Sequence, residues 1–303
     1  MFDLKGVQDY EMIPNQQLTS PEIIKIPFNK LLNLKYGDLL KIKGFIINKN
    51  NIQKLMNESF EISFGGTYFK IPFSFLILSD KNNIIYFDKN HEDYCFIDFP
   101  HYYFFNHNIS ILQLTYSTFD IKIINTIYYD VEIVIDKYFL DNKEKTKISL
   151  NLEPISYNIR NIQHFKIPYT LENQEKNLYV YKTNIDASLL NQGLFIVKDY
   201  QHQIQNITIT LDKKLTVFNY DVALLNIYSE NVNQLIYYGF NINEKYNSTN
   251  VVGCLNLSLY DNIEITIKLK LLKDTPDTYL DIYMPNWNIL MYKQGLFGIK
   301  YSK

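Results

Sequence analysis

The feature that most constrains the fold is a regular alternation of apolar and polar residues, which recurs along the whole chain. A period of two places apolar side chains on one face of a β-strand and polar side chains on the other. Three apolar triplets show it most clearly: Phe119, Ile121 and Ile123; Val131, Ile133 and Ile135; and Ile148, Leu150 and Leu152. The alternation predicts an all-β protein of antiparallel strands, each with one buried face.

Two stretches have the pattern of β-hairpins, in which two alternating runs flank a short polar turn. The first comprises Ile207, Ile209 and Leu211, the turn Asp212-Lys213-Lys214, and then Leu215 and Val217. The second runs from Leu255, Leu257 and Leu259 through Asp261-Asn262 into Ile263, Ile265, Ile267, Leu269 and Leu271. The pair Gly65-Gly66 lies between strand-like runs and predicts a further tight turn or bulge.

Helical signals are few and short. Asp186 is placed to cap a single turn from Ala187 to Leu190 that stops before Gly193. Two weaker candidates are the segments 29–32 and 231–237. Alanine, the best helix former, occurs only twice in the chain, so we expect helices only in the connections between strands.

Many one-sided strands are hidden most economically between two facing sheets, as in an antiparallel β-sandwich or jelly roll. The chain has 303 residues, which is more than a usual single domain. We therefore predict a jelly-roll domain formed by residues 26–85 and 195–303, with a β-rich insertion domain at 86–194. The first twenty residues lack a clear period, and residues 1–25 are predicted to form an N-terminal arm.

Charge and composition argue against several classes of protein. The net charge is -2 and the lysines are spread along the chain, so there is no basic patch of the kind that binds nucleic acid. The N-terminus lacks the features of a signal peptide, and the longest apolar runs are too short to span a bilayer. These features predict a product that is made inside the cell, is not secreted and has no membrane span.

No metal, cofactor or catalytic site is predicted. The densest group of possible ligands comprises His91, Glu92, Asp93, Cys95, Asp98, His101 and His107, but their spacing matches neither a zinc site nor a calcium loop. No nucleophile motif occurs, and no pair of glycosidase carboxylates is indicated. Cys95 and Cys254 lie in apolar runs and are predicted to be buried thiols, with a disulfide between them as the alternative.

Aromatic residues near the C-terminus are the candidates for an interface. Tyr283, Trp287 and Tyr292 surround Pro285, which suggests an aromatic loop that could contact a partner protein or the face of a sugar ring. The alternative is that all three pack in the core. Because Arg160 is the only arginine, any interface should depend on aromatic and Asn-rich loops rather than on arginine salt bridges.

The chain resembles the penton proteins of virophages. The resemblance rests on its length, its excess of residues with A/T-rich codons, its strands throughout, and the words Phe69-Lys70-Ile71-Pro72-Phe73 and Gln294-Gly295-Leu296-Phe297. It implies a viral jelly roll with an insertion domain, in a minor capsid protein whose homopentamers close the vertices of an icosahedral virion. It further implies that the major capsid protein is a partner and that the chain has no enzymatic activity.

Two other classes of function remain open from the sequence. One is a carbohydrate-binding or host-attachment module with a β-sandwich fold, which would use the exposed aromatic residues. The other is an enzyme whose two acidic residues converge from distant parts of the chain. Observation of a closed assembly of identical copies would separate the capsid hypothesis from both.

Overall fold

The computed structural model of the chain describes residues 17–18, 22–27, 30, 32–34, 38–79, 85–86, 93–112, 114, 118–124, 130–150, 155–173, 178–185, 190–200, 203–240, 246, 254–270, 279–293 and 296–299. The chain divides into two compact units. Unit 1 contains the described residues up to Asn161 and those from Asn288 onward. Unit 2 extends from Ile162 to Trp287.

This division differs from the predicted domain bounds. Residues 26–85 belong to unit 1, whereas residues 195–287 belong to unit 2, so the two predicted parts of the jelly-roll domain lie in different units. The predicted insertion, 86–194, is divided between the units at residue 161. The alternation of residues indicates where strands are, but it does not indicate which strands pair.

The described residues of unit 1 form strands β1 to β11 and four short α-helices. The strands are β1 (Gln17–Leu18), β2 (Glu22–Lys25), β3 (Leu32–Asn33), β4 (Leu39–Asn48), β5 (Ser59–Phe64), β6 (Thr67–Pro72), β7 (Ile85–Tyr86), β8 (Tyr94–Asp98), β9 (Ile109–Ser110), β10 (Phe119–Ile124) and β11 (Val131–Phe139). The helices are α1 (Ile52–Leu55), α2 (Phe73–Ser79), α3 (His101–Phe104) and α4 (Asn142–Leu150). A 3-10 helix, Lys49–Asn51, precedes α1.

The strands of unit 1 pair in two antiparallel sheets. One sheet has the order β1-β11-β4-β8-β7, with β2 also paired to β11 and β9 to β4. The other has the order β3-β10-β5-β6. The ring of Phe45 on β4 meets that of Phe60 on β5 edge to face, with centroids 4.8 Å apart. The two sheets therefore face each other as a β-sandwich.

Phenylalanine fills the core of unit 1. Phe45, Phe60, Phe73, Phe99 and Phe104 are each at most 2% exposed. Phe45 packs on Phe73 at 5.2 Å, and Phe99 stacks on Phe104 at 4.9 Å. Burying one such ring contributes about 1.5–3 kcal/mol, and an aromatic pair adds about 0.5–1.5 kcal/mol. Part of the abundance of phenylalanine in the sequence is thus explained by this core.

The strands that follow in the chain lie wholly or mainly in unit 2, except for the last one. They are β12 (Ile155–Asn173), β13 (Leu178–Ile185), β14 (Leu190–Asn191), β15 (Gly193–Val197), β16 (Ile204–Leu211), β17 (Leu215–Asp221), β18 (Ser229–Val232), β19 (Leu235–Gly239), β20 (Leu255–Asn256), β21 (Ile263–Lys270), β22 (Tyr279–Lys293) and β23 (Leu296–Ile299). Strand β12 begins in unit 1, and the end of β22 and β23 belong to unit 1. Helix α5 (Val222–Tyr228) and two 3-10 helices, Lys198–Tyr200 and Leu257–Leu259, lie between the strands.

These strands form a sheet with the order β17-β16-β21-β13-β12-β22-β15-β19-β18, in which β14 pairs with β22 and β20. Side chains from distant positions in this order meet in one apolar core. Ile207 and Ile265 come from β16 and β21, while Ile196 and Ile236 come from β15 and β19. The sheet therefore curves around its own apolar face, and unit 2 too has the packing of a sandwich.

Several local predictions are confirmed. Strands β10 and β11 coincide with the first two alternating triplets, whose apolar residues are at most 4% exposed. The first hairpin is β16–β17, and its turn residues Asp212 and Lys213 have positive φ angles of 49° and 60°. Gly65 and Gly66, with φ of 55° and 88°, make the turn between β5 and β6. These turns need the left-handed conformation that favours Gly, Asn and Asp.

The third alternating triplet was interpreted wrongly. Ile148 and Leu150 lie in helix α4, and Leu152 lies outside the described residues. Asp141 Oδ1 accepts a hydrogen bond from the backbone N–H of Glu144 at 2.8 Å, which satisfies a donor in the first turn of the helix. The Lys- and Glu-rich segment that follows favours a helix. Local capping therefore outweighed a short apolar alternation.

The second hairpin and one helix were also predicted wrongly. Strand β21 forms as expected, but it pairs with β13 and β16, while Leu257–Leu259 is a 3-10 helix. The segment 231–237 contains strands β18 and β19, joined through Asn233 at a φ of 54°. Leu32 begins β3. Residues 186–189, predicted to form a helical turn, lie outside the described part of the chain.

The described residues of the predicted arm, 1–25, belong to a sheet. Strands β1 and β2 both pair with β11. Lys25 also forms an ion pair with Asp130, and Glu22 with Lys137. The arm therefore contributes edge strands to unit 1 of its own subunit.

Asp38 connects α4 to the sheet of unit 1, and its substitution by asparagine should be destabilising. Its Oδ2 atom accepts the backbone N–H of Leu140 at 2.7 Å and pairs with Lys145 Nζ at 2.9 Å, while its side chain is only 7% exposed. We expect Asp38→Asn to lower the free energy of unfolding by about 1–2 kcal/mol, because charge-assisted hydrogen bonds to buried groups are the strong ones. Urea denaturation measures this change.

Asp130→Asn is the matched control for Asp38→Asn. Asp130 also pairs with a lysine, Lys25, but its side chain is 39% exposed. Exposed pairs contribute about 0–1 kcal/mol. Equal losses in the two variants would contradict a special role for the buried carboxylate of Asp38.

Candidate assembly surface

The three aromatic residues proposed as an interface are buried. Tyr283, Trp287 and Tyr292 are 2%, 3% and 9% exposed, so all three pack inside the chain. Pro285, which suggested a loop, lies within strand β22. The burial of these residues agrees with the alternative, in which all three pack in the core.

Tyr283 belongs to a polar contact in unit 2. Its ring stacks on the imidazole of His164, with centroids 4.7 Å apart and planes at 14°. His164 Nε2 lies 2.7 Å from Asp281 Oδ1. The residues come from β12 and β22, which are adjacent in the sheet. This arrangement holds two strands together and leaves no aromatic face available to a sugar.

The candidate metal ligands do not converge in the described residues. Among these residues, no group of three or more His, Cys, Asp and Glu side chains is placed to bind a metal ion. His101 and His107 are both buried. Cys95 is buried and its Sγ lies 3.4 Å from the carbonyl oxygen of Ile47. Burial raises the pKa of this thiol, and no disulfide joins it to Cys254.

His101 has two hydrogen bonds that define its protonation state. Its Nδ1 accepts the backbone N–H of Ile42 at 3.1 Å, and its Nε2 lies 3.1 Å from the carbonyl oxygen of His107. Nε2 must therefore donate, and the imidazole is neutral. Burial is the main reason that the pKa of His101 falls to about 3, and Lys41 and Lys43 lower it further. The residue is a structural connector between α3 and β4.

The only arginine is also internal. Arg160 is 2% exposed, its Nη1 donates to the carbonyl oxygen of Tyr103 at 3.1 Å, and its guanidinium lies 4.3 Å from the centre of the Tyr103 ring. It is therefore not available for contacts with other molecules.

Apolar side chains that are exposed to solvent provide the available contact surface. The large ones in the described residues are Ile23, Tyr68, Tyr102, Phe139, Leu215, Val222, Leu224, Ile227, Leu259, Tyr279 and Met291. Single exposed apolar residues are normal on a protein surface. Three of these, however, fall on the short helix α5. The sequence contained a signal for the apolar character of α5, since the run from Val222 to Tyr228 has only one polar residue, Asn226.

In the described residues, no helix combines the length and apolar character that a membrane crossing requires.

The antiparallel sandwiches place the chain in a structural class: its fold is that of the viral jelly-roll capsid proteins. In particular, it is similar to VP54 of the virus PBCV-1, whose crystal structure has been fitted into a cryo-EM reconstruction of the virophage Sputnik. The TM-score is 0.67 at 14% identity, over 95% of this chain and 97% of VP54. A quasi-atomic model of the PBCV-1 capsid aligns at a TM-score of 0.66 and 13% identity, with the same coverage of both chains.

The crystal structure of the mavirus major capsid protein aligns at a TM-score of only 0.39, with 10% identity. No protein-family model and no curated protein sequence matches this chain. Identities of 13% and 14% establish a shared fold and nothing finer.

Proposed function

We propose that this protein is a structural subunit of an icosahedral viral capsid. The observation that carries the proposal is the likeness of its fold to VP54, which extends over 95% of this chain and 97% of VP54. Because the likeness extends over nearly the whole chain, it includes both compact units and is not limited to a single β-sandwich. The proposed location is the virion, and the proposed role is not enzymatic.

The position of the subunit in the shell has two candidates. The resemblance of the sequence to virophage penton proteins, that of mavirus among them, supports a vertex subunit in a homopentamer beside the major capsid protein. The second candidate is a position on the faces of the shell, and its support is the likeness of the whole fold to VP54 and to the PBCV-1 capsid model.

A sugar-binding or host-attachment module is the remaining alternative. It depended on Tyr283, Trp287 and Tyr292 being exposed, and all three are buried. No other aromatic cluster in the described residues favours it, because the exposed tyrosines Tyr68, Tyr102 and Tyr279 lie on separate elements.

Contacts between the subunits should be apolar. Two ion pairs of the described chain, Lys25 with Asp130 and Lys182 with Glu264, join neighbouring strands within one unit. Such exposed pairs contribute only about 0–1 kcal/mol each. Closed assemblies of identical subunits depend on complementary surfaces, and burial of apolar area is their main driving force.

The purified full-length chain is therefore expected to form closed homo-oligomers at high concentration. Because apolar contacts are not screened by ions, raising the salt from about 0.1 to 0.5 M should not dissociate them. Native mass spectrometry gives the number of copies and analytical ultracentrifugation gives the affinity. Rings of five copies would support the vertex position, and another closed number would support the shell face. A protein that is monomeric at every concentration would refute the capsid proposal.

A further inference from the structure

Helix α5 has an unusual surface. Of its residues Val222–Tyr228, only Leu225 is buried, where it joins the core of unit 2. Val222, Leu224 and Ile227 are 44%, 37% and 60% exposed, and Ala223 is exposed as well. We call Val222, Ala223, Leu224 and Ile227 the α5 face. Asn226 is the only polar residue among the exposed side chains of the helix.

A helix at the surface normally has an apolar stripe toward the core and polar residues toward water, whereas a helix that is apolar all round is buried. The sequence of α5 is apolar nearly all round, like that of a buried helix. The helix is nevertheless exposed, like a surface helix. The helix itself is well formed, because Asp221 Oδ1 accepts the backbone N–H of Leu224 at 3.1 Å as an N-terminal cap. The exposed apolar face is therefore a property of the folded subunit.

The location of α5 suggests a lateral contact. The helix directly follows β17, and β17 is the last strand in the sheet order of unit 2. The end of a sheet is where a neighbouring molecule can approach, and soluble proteins normally protect it with charge or with a covering element. Asp221 is the only charged residue from Leu215 to Tyr228, and it is the helix cap.

The charge and the area of the α5 face restrict its occupant. With no charged side chain, the face offers nothing to a nucleic acid or to a strongly acidic or basic partner. Its exposed residues amount to roughly 300 Å² of mostly apolar area, well below the roughly 800 Å² per partner of a stable interface. It can therefore be only one part of a larger contact, as in a shell where every subunit meets several others.

We propose that the α5 face is a contact between copies of this chain. This inference rests on the proposed capsid role, which supplies neighbouring copies at high local concentration. The net charge of -2 means that copies repel one another only weakly. In a closed ring the contact is heterologous, so α5 of one copy meets a different surface of the next.

Thiol labelling tests the proposal at a single position. Ile227→Cys is made in a Cys254→Ser background, and Cys95 stays unlabelled because it is 0% exposed. Lys214→Cys, in the exposed turn before β17, is the matched control at the opposite end of the same strand. Maleimide labelling rates are measured for the dilute subunit and for the homo-oligomer of the purified chain, so that only copies of this chain can give protection.

In the oligomer we expect the rate at residue 227, relative to that at 214, to fall about tenfold or more, because a thiol inside a contact reacts only when the contact opens. An oligomer with an unchanged ratio would overturn the inference and leave the capsid proposal standing. A chain that never forms oligomers would overturn the capsid proposal itself.

Ile227→Lys gives a second readout that involves no labelling. The residue is 60% exposed, so the melting temperature of the monomer should not change. The dissociation constant of the oligomer should rise about tenfold or more, because a charge would be buried in an apolar contact. An unchanged dissociation constant would count against the contact at α5.

Discussion

Acidification is expected to destabilise the folded chain by about 1.4 kcal/mol for each pH unit below the usual pKa of histidine, through His101 alone. The pKa of His101 is lowered from 6.5 to about 3 in the folded state, mainly by desolvation and in part by Lys41 and Lys43. His101 therefore binds a proton near pH 6.5 in the unfolded chain, but only near pH 3 in the folded chain. Stability that is present above this pH is lost as the pH falls toward 3.

The hydrogen bonds of His101 provide the structural reason. Protonation of Nδ1 would direct an N–H at the backbone N–H of Ile42, which now donates to that atom at 3.1 Å. The imidazolium would also stand beside Phe99 and Phe105, whose rings are 6.4 and 5.3 Å from that of His101. Neither the hydrogen bonds nor the apolar surroundings can accommodate the added charge.

His101→Gln separates this effect from the titration of carboxylates. Glutamine keeps one polar partner but cannot be protonated, so at pH 7 the variant should be less stable than the wild type by about 1–3 kcal/mol. As the pH falls from about 6.5 to about 4.5, the difference should shrink by about 1.4 kcal/mol per unit. Urea denaturation at several pH values measures both curves. Parallel curves for the two proteins would show that His101 does not control acid stability.

Gly193→Ala is expected to cost about 1–3 kcal/mol of stability, or to prevent accumulation of folded protein. A Cβ atom at residue 193 would overlap the carbonyl oxygen of Tyr238 and the ring of Tyr237. Strand β15 pairs with β19 on one side and with β22 on the other, so its backbone has no free direction in which to move. The Tyr237 ring is 1% exposed and packs on Phe195 at 4.8 Å.

Whether Gly193→Ala stabilises or destabilises the protein depends on which of two opposing effects is larger. Replacing glycine by alanine within a strand ordinarily gains about 0.5–1 kcal/mol, because the unfolded chain loses freedom. Overpacking against a rigid backbone typically costs about 1–3 kcal/mol and sometimes more. The clash should therefore dominate at Gly193, and also at Gly44, where a Cβ would overlap the carbonyl oxygen of Ile97 and the ring of Phe96.

Gly298→Ala is the matched control for the two glycine variants. Residue 298 lies in strand β23, and a Cβ there would have no heavy atom within 4 Å. Thermal unfolding of the three variants should thus show losses at positions 44 and 193 and none at 298. A Gly193→Ala variant as stable as Gly298→Ala would mean that β15 and β19 are less closely packed than described.

Local sequence patterns predicted the elements whose structure depends on their own residues. The triplets at β10 and β11, the turn at Asp212-Lys213 and the glycine turn between β5 and β6 are of this kind. Where two local signals competed, the pattern misled: the cap at Asp141 made α4 helical in spite of the alternation around Ile148. The proposed contact surface had a local signal as well, the almost wholly apolar run of α5, but only the fold reveals that this run is exposed.

The sequence by itself thus determined that the chain is all-β with antiparallel sheets, because a period of two can be read from neighbouring residues. Tertiary structure decided the rest. It assigned β21 to β13 and β16 instead of to a hairpin partner, divided the chain at residues 161 and 288, and buried Tyr283, Trp287 and Tyr292 in the middle of a sheet. The physical reason is that strand pairing and burial depend on residues far away in the chain, and the same alternating strand can pair with any partner that presents a matching face.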